Sequence, residues 1–150
     1  MKWNEINFGT FKDRNYSIAQ LAYKEPSYLG WCLKQGVFKG ESLEQARLAA
    51  DNLRNMRLPM ELRKTHCIQF LYDWQGKLSD VKVVETASLR PERANNEIRG
   101  QTLNLLWKTD GIGKKLIIKA FKKHWLNGKS LTKKRLEELL TEPLETSTFH

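Results

Sequence analysis

The sequence predicts an α+β fold with a small N-terminal strand and helix module, a β-hairpin and a helical C-terminal half. Apolar residues recur at helical spacing in several stretches, and one central stretch alternates apolar and polar residues on both sides of a turn. Hydrophobic residues make up 40% of the 150-residue chain, which is enough for a folded core. We expect two regions, residues 1–60 and 61–150, which by size also fit one compact domain.

The first region begins with an extended stretch and continues with three helices. "EINFGTF" is strand-like, and "KDRN" supplies turn residues. Ser17 is placed to cap a helix over "IAQLAYK", while Pro26 and Gly36 are placed to start and end a helix over "PSYLGWCLKQ". Ser42 and Gln45 have capping-box spacing for a longer helix over "ESLEQARLAADNLRNM".

Six aromatic rings fall within residues 8–31, and helical spacing predicts that most of them belong to a core. Trp31 is among the side chains expected to face inward. The alternative is that Phe11, Tyr16 or Trp74 stacks on nucleic-acid bases. Core packing is the favoured interpretation for the first two rings, and packing at the hairpin tip for Trp74.

The middle of the chain, "HCIQFLYDWQGKLSDVKVVE", predicts a β-hairpin that turns at Gln75 and Gly76. The alternation of apolar residues places Phe70 opposite Val81 and Ile68 opposite Val83. Three helices are expected to follow, over "ERANNEIRGQTLNLLW" after Pro91, then over "GKKLIIKAFKKHWLNG" and "TKKRLEELLTE".

The N-terminal aromatic stretch also carries a recognisable pattern. Its residues are Phe8, Gly9, Phe11, Lys12 and Arg14, followed by residues 25–29 ("EPSYL"), Trp31 and Leu33. Over residues 6–40 this pattern resembles a small accessory module at the C-terminal end of exodeoxyribonuclease X-like proteins. The resemblance implies a module that helps DNA-processing proteins to hold nucleic acid, and it implies no nuclease activity. Two residues depart from the pattern, because Thr10 stands where it has a lysine and Asp13 where it has a glycine. The missing positive charge at Thr10 weakens phosphate binding there.

The positive charge of the chain, +9 in total, is concentrated late in the sequence. Residues 107–136 contain ten basic residues and one acidic residue, whereas the last stretch, 137–150, is net negative. A local excess of this kind attracts polyanions such as nucleic acid. A basic helix face that only improves solubility is the simpler alternative.

Within that basic stretch, "DGIGKK" places two glycines at the start of a helix. It resembles the turn of helix-hairpin-helix DNA-binding motifs, because glycines let backbone N–H groups approach a phosphate. Asp110 puts a negative charge beside the turn and is more simply the N-cap of the helix. The residues predicted to bind nucleic acid are Lys12, Arg14, Gly111, Gly113, Lys114, Lys115, Lys119, Lys122, Lys123, Lys129, Lys133 and Lys134.

The sequence predicts no catalytic residue, metal ligand or cofactor. Asp73, Asp80 and Lys82 share one predicted hairpin face, as in some metal-dependent nucleases, where the carboxylates hold a divalent ion and the lysine assists the nucleophile. Their short spacing, with Asp73 near the turn, favours ordinary surface charges. The three histidines are too dispersed for a metal site, and the spacing of Cys32 and Cys67 predicts buried free thiols in a reducing compartment.

We therefore expect a non-catalytic nucleic-acid-binding accessory protein of low sequence specificity, with DNA favoured and a larger DNA-processing protein as a further partner. A protein-interaction adaptor with an acidic partner, or a metal-dependent nuclease built on residues 66–85, is the alternative. The N-terminus lacks the apolar run of a signal peptide, and the sequence contains no membrane-length apolar stretch. These features predict a cytoplasmic protein with no membrane partner. For an accessory protein of this kind we expect a bacterial or phage origin.

Overall fold

A computed structural model describes residues 1–91 and 96–141 and confirms the α+β class. The α-helices in this part of the chain are α1 (Ile18–Lys24), α2 (Pro26–Gln35), α3 (Gly40–Arg54), α4 (Gly111–His124) and α5 (Lys133–Thr141). The strands are β1 (Met56–Arg57), β2 (His66–Tyr72), β3 (Leu78–Glu85), β4 (Glu97–Gly100) and β5 (Thr102–Leu103). Short 3₁₀ helices cover Gly9–Arg14, Met60–Leu62 and Thr86–Ser88.

The chain divides into two compact units. Unit 1 contains Met1–Arg54 and Leu131–His150, and unit 2 contains Asn55–Ser130. The structure thus groups α5 with the N-terminal region, whereas the sequence-based division grouped it with residues 61–150. Within the described residues, no helix is both long enough and apolar enough to cross a membrane.

The predicted boundaries of α1 and α2 are confirmed. Ser17 forms a capping box with Gln20, in which each side chain bonds the other residue's backbone N–H. Pro26 occupies the first turn of α2, and Gly36 ends it in the left-handed conformation, with φ of 69°. Local sequence signals therefore determine these two helices.

The expected extended start is only partly present. The Ile6 N–H donates to the Tyr16 carbonyl over 2.8 Å and the Ile18 N–H to the Asn4 carbonyl over 2.9 Å, so the segment folds back on itself. Gly9, with φ of 67°, turns the chain out of the extended conformation and into the 3₁₀ helix.

Helix α3 begins two residues before the predicted cap, Ser42. The predicted capping box is absent because both of its side chains bind the N-terminal segment instead. Gln45 accepts from the Asn4 N–H and donates to the Lys2 carbonyl, each over 2.8 Å, and the Ser42 hydroxyl accepts from the Asn4 amide over 2.9 Å. Gln45 is buried, so these bonds satisfy a side chain removed from water.

Long-range hydrogen bonds tie α5 into unit 1. The indole N–H of buried Trp3 donates to the Glu137 carbonyl over 3.1 Å, and the amide of buried Asn52 donates to the Leu140 carbonyl over 2.8 Å. Leu136 and Leu140 are themselves buried. The C-terminal segment is thus part of the unit's core.

Unit 2 is built around a three-stranded antiparallel sheet in the order β3-β2-β4. The predicted hairpin register is confirmed, with Phe70 opposite Val81 and Ile68 opposite Val83. The hairpin turns through Gly76, which has φ of 79°. Helix α4 packs on β3.

The helix predicted after Pro91 is wrong for residues 96–107, and residues 92–95 of that prediction lie outside the described part of the chain. Strand β4 pairs with the open edge of β2, and the short β5 pairs with β1. On β4 the buried Glu97 carboxylate accepts from the Arg99 guanidinium. Pairing with strands distant in sequence outweighs the helical spacing of the apolar residues.

Candidate nucleic-acid interface

The exposed face of α4 forms a lysine-lined groove of about 870 Å³. Ile117, Ala120 and Phe121 are buried on the opposite side of the helix. Because an α-helix repeats every 3.6 residues, fixing that side inward directs the intervening lysines outward. The groove is lined by Lys114, Lys115, Ile118, Lys119, Lys122, Lys123, Asn127 and Gly128.

Among the described residues, no acidic side chain forms an ion pair with the exposed lysines of this groove. Within residues 1–91 and 96–141, Lys115, Lys119, Lys122 and Lys123 take part in none of the ion pairs. Unit 2 as a whole has fifteen basic and seven acidic residues, a net charge of +8, whereas unit 1 has eleven and ten, a net charge of +1. Nearly all of the excess positive charge therefore belongs to the unit that carries the groove.

The C-terminal end of α4 favours the positive charge of the groove. Lys122 and Lys123 lie in the last turn, where the partial negative charge of the helix dipole stabilises cations. Asn127 and Gly128 then adopt left-handed conformations, with φ of 52° and 75°, and end the groove. The Asn-Gly pair in "LNGK" is the sequence signal for this turn, which the sequence-based prediction did not use.

The glycine turn before α4 is a helix cap. The Gly113 N–H donates to the Asp110 carboxylate over 2.7 Å, which confirms the N-cap interpretation of Asp110. Gly113 is also enclosed, since a Cβ atom there would lie 2.5 Å from the Thr109 hydroxyl oxygen. Its N–H group already has a partner, so this geometry gives no support to phosphate binding at Gly113. Gly111 is exposed, and it does not line the groove.

Lys114 is partly structural. Its ammonium group donates to the Leu105 carbonyl, and its side chain is half-buried. Burial lowers the pKa of Lys114 below its ordinary value of 10.5. The exposed members of the groove, rather than Lys114, are therefore the better candidates for contacts with an anion.

Compared with known proteins, the chain matches no family model, no curated protein and no solved structure. The resemblance of residues 6–40 to the exodeoxyribonuclease X accessory module stays a prediction.

The remaining predicted residues lie outside the groove. Lys129 is exposed in unit 2. Lys12, Arg14, Lys133 and Lys134 are exposed in unit 1, where the Lys133 ammonium lies 3.7 Å from the Glu5 carboxylate.

The aromatic residues of the N-terminal stretch are not core residues, which contradicts the prediction. Trp31 is 53% exposed, and the other five rings are half-buried. Phe11, Tyr16, Tyr28 and Trp31 form a chain of ring contacts, and Phe8 meets buried Phe38 edge-on. Arg14 lies over the Phe11 ring at 5.8 Å. Trp74 at the hairpin tip is 90% exposed and so is not packed there either. The rings thus present a surface that the sequence-based prediction assigned to the interior.

The two carboxylates of the predicted hairpin cluster, Asp73 and Asp80, interact with residues of the hairpin itself. Asp73 accepts from the N–H groups of Gln75 and Lys77, over 2.9 and 3.0 Å, and so holds the turn. Asp80 lies 3.9 Å from the Lys82 ammonium. In the described part of the chain, no group of three or more His, Cys, Asp or Glu residues is arranged to hold a metal ion. Both cysteines are buried free thiols, as predicted.

Proposed function

We propose that the protein is a non-catalytic accessory protein that binds nucleic acid, DNA foremost, through the lysine face of α4. The observation that carries the proposal is the groove in which unpaired lysines line one helix face of a unit with net charge +8. Phosphate groups of a nucleic-acid backbone are the polyanion best matched to such a row of cations. The two buried free thiols fit a reducing compartment such as the cytoplasm.

The chemistry of these side chains favours sequence-independent binding. An ammonium group contacts phosphate as a point charge and lacks the planar fork with which arginine reads guanine. Binding would release counterions from the backbone, so affinity should fall steeply as salt rises. Ile118 and the lysine methylene groups give the floor of the groove an apolar character that a sugar-phosphate backbone tolerates.

The test is a salt series of fluorescence anisotropy with labelled single-stranded and double-stranded DNA and RNA. The variant replaces Lys115, Lys119, Lys122 and Lys123 with alanine, which has a higher helix propensity and so preserves α4. We expect wild-type binding with a steep salt dependence. For double-stranded DNA the slope should flatten by up to about 4 in the variant, since each lost phosphate contact removes about 0.9.

A matched control variant replaces four other exposed lysines, Lys2, Lys39, Lys64 and Lys77, with alanine. It loses the same charge but retains the groove, so it should keep most of the wild-type salt slope. An equal decrease of the salt slope in the two variants would show that net charge alone governs binding, and it would refute a binding face on α4. Absence of wild-type binding at low salt would refute nucleic-acid binding altogether.

The apolar floor of the groove also favours a second candidate function, an adaptor for an acidic protein partner. An amphipathic acidic helix could place apolar side chains on Ile118 and carboxylates beside the lysines. Submicromolar binding of such a peptide, lost in the quadruple variant, together with weak binding of every nucleic acid, would favour this adaptor function.

A further inference from the structure

Exposed Trp31 and half-buried Tyr28 form a pair of stacked rings on unit 1. Their ring centroids are 5.9 Å apart and their planes differ by 22°. The two residues are three apart on α2, which places them on the same face of the helix. Trp31 is 53% exposed, and its neighbour one turn earlier on that face is the small exposed residue Ser27. The pair therefore offers indole surface to a ligand.

Tyr28 is held rigidly beneath Trp31. Its ring meets the Phe11 ring edge-on, with centroids 4.9 Å apart. The hydroxyl lies so close to Gly9 that a Cβ atom there would be 2.2 Å away. A ring that is fixed by these contacts is a preorganised support, since little side-chain entropy remains to be lost on binding.

The surroundings of the pair are basic. Residues 8–36 contain four basic residues, Lys12, Arg14, Lys24 and Lys34, against two acidic ones. Lys34 lies one helical turn beyond Trp31 on α2. The ammonium of Lys24 lies 5.1 Å from the Tyr16 ring centre, and the guanidinium of Arg14 lies 5.8 Å from that of Phe11. The cluster of rings and cations complements a ligand that combines flat apolar groups with negative charge.

We propose that Trp31, supported by Tyr28, is a stacking platform for a base of single-stranded nucleic acid. A single strand is favoured over a duplex because its bases can expose their faces to an aromatic ring, while its phosphates meet the surrounding cations. The inference rests on the proposed function, and it adds a base-dependent contact in unit 1 to the phosphate contacts in unit 2.

The experiment compares two labelled probes with the full chain. One is an oligothymidylate of about 12 nucleotides, a length within the site sizes of single-strand-binding modules. The other has the same sugar-phosphate length but no bases. The protein variants are Trp31→Ala, Trp31→Phe and, as a control, Met60→Ala, which removes another highly exposed apolar side chain.

We expect Trp31→Ala to weaken oligothymidylate binding by about 5- to 150-fold, the usual effect of losing one stacked base, and to leave the abasic probe unaffected. Trp31→Phe should restore most of the affinity because it keeps a ring, and Met60→Ala should bind as the wild type does. Thermal unfolding of each variant checks that the fold persists.

Three outcomes would overturn the inference. If Trp31→Ala binds oligothymidylate as the wild type does, the platform does not contact bases, although the proposed function stands. If both probes weaken equally, Trp31 contributes through the fold or the charges and not through stacking. If the wild type binds neither probe, the platform fails, and the proposed function fails with it only if double-stranded DNA and RNA are not bound either. Selective loss of an acidic or proline-rich peptide in Trp31→Ala, with oligothymidylate binding unchanged, would instead assign the platform to a peptide ligand.

Discussion

Gly9→Ala should destabilise the protein by more than the replacement of another left-handed glycine of this chain by alanine. Gly9 has φ of 67°, a left-handed conformation, and its position beside Tyr28 leaves no room for a side chain. The substitution therefore combines backbone strain with a steric clash. It tests whether the close approach between Gly9 and Tyr28 holds the ring cluster in place.

The structure gives a magnitude for each of these two effects. A left-handed conformation costs a non-glycine residue about 1–2 kcal/mol. The new Cβ atom would lie 2.2 Å from the Tyr28 hydroxyl oxygen, and ordinary contact requires at least 3.4 Å, so the hydroxyl must move by about 1.2 Å. Overpacking of this kind costs about 1–3 kcal/mol. The expected decrease in the free energy of unfolding is thus about 2–5 kcal/mol.

Gly36→Ala is the matched control, because Gly36 has nearly the same φ, 69°. A Cβ atom there would meet only the flexible Lys39 ammonium, at 3.9 Å. This variant should lose only the conformational part, about 1–2 kcal/mol. Urea unfolding followed by circular dichroism and tryptophan fluorescence measures both variants. A loss in Gly9→Ala no larger than that in Gly36→Ala would refute the tight contact with Tyr28.

Two further predictions concern α4. Asp110→Ala should lower the free energy of unfolding by about 1 kcal/mol, while Asp110→Asn should be nearly neutral, because Asn retains an acceptor for the Gly113 N–H. Equal losses of stability in the two variants on thermal unfolding would contradict the role of Asp110 as the helix cap. Burial, with smaller effects from Lys123 and His66, lowers the pKa of His124 below its ordinary value of 6.5. The unfolded chain therefore binds the proton first, and the free energy of unfolding should fall as the pH drops below about 6.5. Between pH values of about 7.5 and 5.5, urea unfolding should show a smaller decrease in the free energy of unfolding for His124→Gln than for the wild type. An equal decrease in both would exclude His124 as the source of the pH dependence.

The features that the sequence predicted correctly depend on short-range signals. The hairpin register follows from alternating residues on two arms joined by a tight turn, so Phe70 and Val81 meet as expected. The boundaries of α1 and α2 follow from caps at Ser17, Pro26 and Gly36. In each case the residues that determine the structure are close together in the sequence.

The incorrect predictions involve partners that are distant in sequence. Residues 96–107 have apolar residues at helical spacing, but the open edge of β2 takes up β4 as a third strand. Gln45 has capping-box spacing, but it bonds the N-terminal segment. Neither competing partner can be recognised from local periodicity, because each becomes available only when the chain has folded.

The candidate site shows the same division. The lysine face of α4 was predictable because a helix with one buried stripe must expose the residues between. The exposure of Trp31 was not, because an aromatic residue at helical spacing is usually buried. One signal in the sequence does distinguish it, since exposed Ser27 and Gly30 share its helix and provide little apolar cover.

Charge counted along the chain differs from charge counted over the folded units. The basic segment 107–136 appears continuous in the sequence, but Lys133 and Lys134 belong to unit 1, which is nearly neutral, and Lys133 lies near Glu5. Salt dependence should therefore arise mainly from α4. A dependence on bases, which salt screens little, should arise from Trp31. Because the two contributions reside in different units, one set of variants can change the salt slope while another changes only the discrimination between normal and abasic strands.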